Sequence, residues 1–216
     1  MTGRTDLLKI YGILRKAFGP RHWWPARTAQ EVMIGAILTQ NTSWANAAKA
    51  ITALRNESGL NFKAIDQASE KVLAGRVRSA RFFNQKAKAL KIFAAYFGDH
   101  YGFSIRRMKN RETALLREEL LTLYRIGPET ADSILLYALD KPVFVIDAYT
   151  RRIFSRHGFL TGNETYDSCQ AFFMNNLPRD PDLYNDYHAQ IVFLGNRFCR
   201  PKPVCDSCPL KGIVKK

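Results

Sequence analysis

Negative charge is scarce in this 216-residue chain. Nineteen Asp and Glu stand against 33 Lys and Arg, a formal charge of +14. That imbalance disfavours cationic partners and sets up a field that draws in polyanions. Long apolar runs are also missing. No stretch nears the roughly 20 residues that would span a bilayer, which leaves a nucleic acid or an anionic surface as the polyanion. Runs of alternating apolar and polar residues are absent too, which argues against a sheet-based fold. There is no internal repeat and no low-complexity linker. A hydrophobic content of 46% with 12% aromatics excludes general disorder.

Cysteine is sparse and unevenly placed. Of Cys169, Cys199, Cys205 and Cys208, three crowd near the end. Leu7, Ile10, Tyr11, Leu14 and Phe18 fall at helical spacing, interrupted by Arg4, Lys9, Arg15 and Lys16. This reads as an amphipathic helix and not as a secretion signal. The expected location is therefore cytoplasmic, nucleoid-associated in a prokaryote, where cysteines favour metal or cluster ligation over disulfides.

What the sequence does have is helical periodicity, through Val32–Leu38, Ala45–Leu54, Lys86–Phe97, Thr113–Tyr124 and Glu129–Leu139. Breaks are expected at Gly59, Gly98, Gly102, Gly127–Pro128 and Pro142, among others. The only strand candidate, Pro142–Ile146 (PVFVI), reads equally as an extended lead-in to a helix. The predicted class is all-α.

In ELLTLYRIGPETADSILLYALD (119–140), one helix ends near Tyr124 and a second starts at Pro128, with the turn Arg125-Ile126-Gly127 between them. Proline suits a first helical position because its missing N–H would be unpaired there. Gly127 is expected to supply the turn's conformational freedom, and Ile126 to plug the gap between the helices. The turn would present backbone N–H groups to a phosphate. An ordinary corner between two helices uses the same residues.

Asp147 follows Gly127 by twenty residues, at the end of VFVID. Together LYRIGPETADSIL and VFVIDAYTRRIF resemble the helix–hairpin–helix DNA glycosylases of the endonuclease III type, a likeness running from about Trp23 to Cys208. That resemblance makes Asp147 the catalytic carboxylate. Breaking an N-glycosidic bond builds oxocarbenium character on the sugar, which a carboxylate stabilises while it orients or deprotonates water. An Asp here is also a good helix N-cap. Bifunctional members carry a Schiff-base lysine two residues after the hairpin's last glycine. This chain has Glu129 there, which implies a monofunctional enzyme with little or no lyase activity. Arg125 stands where the family usually has Gly.

Ile37-Leu38-Thr39-Gln40-Asn41-Thr42 resembles the family's wedge, with Gln40 filling the space left by a flipped base. Trp23-Trp24-Pro25, Trp44 and the segment Phe82–Lys88 resemble the 3-methyladenine glycosylases of this type, whose aromatics stack on an extruded purine. An N-alkylated purine is cationic, so an indole adds a cation–π gain of roughly 0.5–2 kcal/mol. Trp23, Trp24, Trp44 and Glu129 are thus expected in the base pocket. Gln40, Arg125, Ile126, Gly127 and Thr130 are expected on DNA.

The tail spaces Cys199, Cys205 and Cys208 as C-x5-C-x2-C, whereas the family's [4Fe-4S] loop has four cysteines. Val214 stands at the fourth position. A cluster with another fourth ligand, zinc with His188 as co-ligand, and no metal all remain open.

The expected architecture is two helical lobes with a DNA-binding cleft between them. One lobe comprises residues 26–134; the other comprises 1–25 with 135–216. The expected partner is duplex DNA holding a damaged base, bound by a monomer. Rival readings are a glycosylase for oxidised pyrimidines or mismatched bases, a non-catalytic helix–hairpin–helix module, and a zinc-loop regulator.

Overall fold

The computed structural model describes the backbone of residues 2–21 and 23–213, and the side chains of 6–21, 23–57 and 59–213. Those residues form helices and connecting segments, with no strand among them. None of the described helices is long and apolar enough to cross a membrane. The chain divides into two compact units, one of Met1–Trp23 with Pro142–Lys216 and one of Trp24–Lys141.

The first helix, α1 (Thr2–Phe18), belongs to the discontinuous unit. The central unit holds α2 (Ala29–Leu38), α3 (Trp44–Ser58), α4 (Phe62–Gln67), α5 (Glu70–Arg76), α6 (Phe83–Tyr101), α7 (Ile105–Asn110), α8 (Thr113–Leu121) and α9 (Pro128–Ser133). Its axis is α2, buried at every residue from Glu31 to Leu38. A helix apolar on all sides belongs inside, and α3, α6 and α9 pack around it. Thr28 caps α2 by accepting from the Glu31 N–H, and Glu31 accepts from the Arg27 N–H. Arg55 pairs with the buried Glu31 carboxylate.

Two helix ends differ from the sequence expectation. Gly98 lies inside α6, which runs on to Gly102 in the left-handed region at φ 57. In turn α8 stops at Leu121 and not near Tyr124, because the Thr122 hydroxyl donates back to the Glu119 carbonyl at 2.7 Å and closes the last turn. Beyond α9 the chain makes a π-helical turn, Ile134–Ala138, whose five residues are all buried. That turn packs on α2, so the unit extends to Lys141, past the boundary of 134 drawn from the sequence.

An ion pair clamps α8 to α9. Arg117 donates to both carboxylate oxygens of Asp132, at 2.8 and 3.2 Å, and the Asp132 side chain is fully buried.

The other unit adds α10 (Ala148–Arg156), α11 (Tyr166–Asn176) and α12 (Pro181–Arg197) to α1. Phe144 stacks on Phe173 at 4.3 Å and meets the edges of Tyr184 and Tyr187. The Tyr187 hydroxyl donates to the Leu7 carbonyl at 2.9 Å and so ties α12 to α1. Pro142–Ile146 is the extended lead-in to a helix, not a strand. Its buried backbone is paired by side chains of α11: Gln170 donates to the Phe144 carbonyl, and the Ile146 N–H donates to the Tyr166 hydroxyl. A buried peptide group needs such partners when no ladder supplies them.

Replacing Arg117 with Ala would remove the two-pronged donor from the buried Asp132 carboxylate. Urea unfolding is expected to show a loss of about 3 kcal/mol, the usual cost of breaking a buried pair from one side.

Candidate functional site

The hairpin turn is built differently from its sequence reading. Gly127 is extended, at φ −89 and ψ 177, and serves as the N-cap of α9, with Pro128 at the first position. The residue in the left-handed region is Arg125, at φ 60. A residue with a Cβ pays roughly 1–2 kcal/mol there. The Gln40 side chain secures that conformation: its Nε2 donates to the Arg125 carbonyl at 2.8 Å and to the Thr130 hydroxyl at 2.9 Å. Ile126 between them is buried, while Arg125 and Gly127 are exposed. A Cβ added at Gly127 would meet nothing within 4 Å, so packing within the protein does not require glycine there.

Gln40 follows α2 in a short irregular segment. Thr39 ends the helix with its hydroxyl on the Gly35 carbonyl, and Asn41 turns the chain at φ 50. Lys86, buried in α6, donates to the Leu38 carbonyl at 2.8 Å and fixes the last turn before Gln40. Burial, and then the nearby Arg125 cation, lower the Lys86 pKa from the ordinary 10.5 to about 8.

Alongside lies an open groove of about 790 Å³, lined by Asn41–Ser43, Asn46 and Arg78–Phe83. Phe82 stands 44% exposed in it, at φ 57, with the Arg81 guanidinium 5.1 Å from its ring centre.

The three tryptophans fall in two places. Trp24 packs edge-on against Trp44 at 5.6 Å and against Tyr137 at 5.6 Å. Gly35 permits this, since a Cβ there would sit 3.2 Å from the Trp24 indole nitrogen. Trp23 lines a cavity of about 470 Å³ in the discontinuous unit, with Tyr11, Arg15, Asp182 and Asp186.

Asp147 caps α10. Its Oδ1 accepts from the Thr150 N–H at 2.7 Å and from the Thr150 hydroxyl at 2.8 Å. Its Oδ2 lies 3.7 Å from His188 Nε2, and both side chains are largely buried. Cap and candidate carboxylate are therefore the same residue, with one oxygen fully engaged and the other aimed elsewhere.

Residues 34–179 match the HhH-GPD superfamily of base excision DNA repair proteins. The chain belongs to that family. It is 47% identical, over 95% of its own length and 94% of the relative's, to a Methanocaldococcus jannaschii protein whose name provisionally makes it a DNA repair glycosylase. Endonuclease III of Sulfolobus acidocaldarius is 29% identical, over 88% of this chain and 82% of that one. Among solved structures, the H. pylori 3-methyladenine DNA glycosylase MagIII bound to 1,N6-ethenoadenine is 30% identical, with a TM-score of 0.77, covering 89% of this chain and 98% of that one. A non-covalent endonuclease III–DNA complex has the same fold, with a TM-score of 0.85 at 21% identity and coverage of 100% and 96%.

The tail of this HhH-GPD chain carries three of its four cysteines. Cys199 is buried and takes an N–H from Arg156 at 3.3 Å, Cys205 is exposed, and burial pushes the Cys208 thiol up. Among the described residues no group of three His, Cys, Asp or Glu is arranged to hold a metal ion. Cys169 is buried in α11. His188, the co-ligand of the zinc alternative, lies against Asp147. Val214 lies outside the described residues. Among the described residues the three tail cysteines are not drawn together with a fourth ligand. The loop is tied by side chains: Arg156 donates to the Arg200 and Pro201 carbonyls, and Arg152 to the Cys199 carbonyl.

Sequence reasoning missed the surroundings of four residues of interest. Tyr137 looked like one more apolar position of a helix. Phe82 was read only as part of a segment, and an aromatic beside Arg81 at a helix start was the available signal. Lys86 sits at a core position of its helix, and nothing in the pattern marks a buried ammonium. His188 meets Asp147 across 41 residues, beyond the reach of any local pattern.

The Lys86 shift carries a sign. Its folded value is depressed, so between about pH 8 and 10.5 the unfolded chain holds more protons than the fold. Stability relative to Lys86→Met is therefore expected to rise as pH climbs through that window, as read by paired urea titrations.

Proposed function

We propose that the protein is a monofunctional DNA glycosylase that hydrolyses the N-glycosidic bond of an alkylated purine flipped from duplex DNA. The observation that carries this is the Asp147 carboxylate, locked by Thr150 through Oδ1 and keeping Oδ2 for chemistry. A held carboxylate suits a reaction that develops positive charge on the sugar, because the stabilising charge needs no reorganisation as the bond breaks. Oδ2 would also orient the attacking water and take its proton.

The choice of base rests on Trp24, Trp44 and Tyr137. Trp44 is 38% exposed, and its indole together with that of Trp24 offers an electron-rich face to a cationic purine. A base that already carries positive charge is a good leaving group, so a dedicated general acid is unnecessary. The MagIII relative, a 3-methyladenine DNA glycosylase, supports an alkylated purine as the base; the 1,N6-ethenoadenine in its structure is a neutral alkylated purine. Water as nucleophile follows from Glu129, in the first turn of α9 where a Schiff-base lysine would stand. A carboxylate cannot form that imine.

On this reading the exposed turn at Gly127 lies against the phosphate backbone, and the +14 charge brings the protein to DNA. Gln40 and Phe82 support the flipped state from the duplex side. A non-catalytic binding module would use Asp147 only as the cap of α10 and would show no base release.

Two measurements check the proposal. Base release from duplexes carrying 3-methyladenine or 1,N6-ethenoadenine is expected from wild type and to fall at least about 100-fold in Asp147→Asn. Equal rates in the two proteins, or no release of any alkylated purine, would sink the reading. Gly127→Ala is expected to fold normally, because its Cβ meets no protein atom, yet to bind DNA about tenfold more weakly by crowding the phosphate. An unchanged Kd would remove Gly127 from the interface.

A further inference from the structure

The proposed chemistry uses Asp147 and says nothing of the residue facing it. His188 sits on α12 with its side chain 7% exposed, and its Nε2 lies 3.7 Å from Asp147 Oδ2. That separation leaves no room for a bridging water and lies just beyond a full hydrogen bond, so ring and carboxylate face each other directly.

The two groups are held against each other by the packing of α10 on α12. Two turns along α12 from His188, Gly195 meets the Tyr149 ring so closely that a Cβ would fall 2.3 Å from it. The Tyr149 hydroxyl donates to Asn196 Oδ1 at 2.7 Å, and Arg152 donates to the Cys199 carbonyl at 2.7 Å. Tyr149 and Arg152, in the first two turns of α10, are thus fastened to the end of α12 and the residues just beyond it. Nor can Asp147 swing freely, since two bonds from Thr150 hold its Oδ1.

We infer that His188 is a positioning residue for Asp147, holding the Oδ2 side of the carboxylate as Thr150 holds the Oδ1 side, so that it meets the flipped sugar in one orientation. This rests on the reading of Asp147 as the catalytic carboxylate. The chemistry of the ring agrees. A carboxylate facing Nε2 selects the tautomer with the proton on that nitrogen, because the other would point a lone pair at an anion. Burial lowers the His188 pKa, while Asp147 raises it by a smaller amount. A neutral ring orients the carboxylate through a dipole and leaves its negative charge intact. An imidazolium would cancel the charge that the oxocarbenium needs.

The test uses the full-length protein and a duplex carrying 3-methyladenine. It reads single-turnover base release at saturating enzyme, and DNA affinity separately by anisotropy. His188→Leu, which removes the donor, is expected to slow release about tenfold with Kd within about twofold of wild type. His188→Asn, whose amide falls short of Oδ2, should be slowed similarly. His188→Gln, which carries an N–H to nearly the Nε2 position, should return to within about threefold of wild type. Should His188→Leu fail to fold, the Asn and Gln pair decides. Wild-type rates in His188→Leu or His188→Asn, equal losses in Asn and Gln, or a loss confined to Kd would each overturn the inference. Asp147→Asn in the same assay separates the two claims. If it is inactive while the His188 variants are unaffected, only His188 is lost; if it is fully active, the catalytic reading of Asp147 fails first.

Discussion

Asp147 Oδ1 takes hydrogen bonds from both the N–H and the hydroxyl of Thr150, and much of the surrounding structure follows from that pair of bonds. They start α10, end the buried extended segment Pro142–Ile146, and remove one degree of freedom from a carboxylate that would otherwise rotate. An N-cap of this kind contributes about 1 kcal/mol to a helix. On the proposed catalytic reading the helix gives something back, because a carboxylate immobilised by its own backbone would already be organised for a charge that appears only as a bond breaks. The capping and catalytic readings of Asp147 are two descriptions of one geometry.

The hairpin shows a related economy. Arg125 adopts a backbone conformation that favours glycine, and the Gln40 amide satisfies its carbonyl. The same amide reaches Thr130 on the first turn of α9, so the Gln40 segment and the hairpin are one connected piece of the central unit. Lys86 extends the connection through the Leu38 carbonyl to α6. A residue expected to probe DNA is thus also a brace in the free protein. On binding DNA its amide would exchange the Arg125 and Thr130 acceptors for those of a base.

Much of this was legible in the sequence, and the reasons differ by residue. Helical class followed from apolar spacing, because the α2, α3 and α6 patterns are set by burial against one core. Pro128 marked the start of α9 because proline is favoured where an N–H has no partner. The turn itself was misread. Gly127 attracted the left-handed conformation on propensity, whereas a long-range bond from Gln40 allows Arg125 to take it. Propensity is local and that bond spans 85 residues. His188 was hidden for the same reason, and the cysteine spacing suggested a ligand set that the described residues do not assemble. Where a property depended on neighbours in the chain the sequence carried it, and where it depended on packing across helices it did not.

The central claim is that water, and not a protein amine, attacks the sugar, with Glu129 occupying the position a lysine would need. Borohydride trapping on lesion-bearing and abasic duplexes tests it most directly, using wild type beside Glu129→Lys. Wild type is expected to leave the strand uncut and to form no covalent protein–DNA adduct, while Glu129→Lys acquires one. A borohydride-trapped adduct with the wild-type protein would contradict the account.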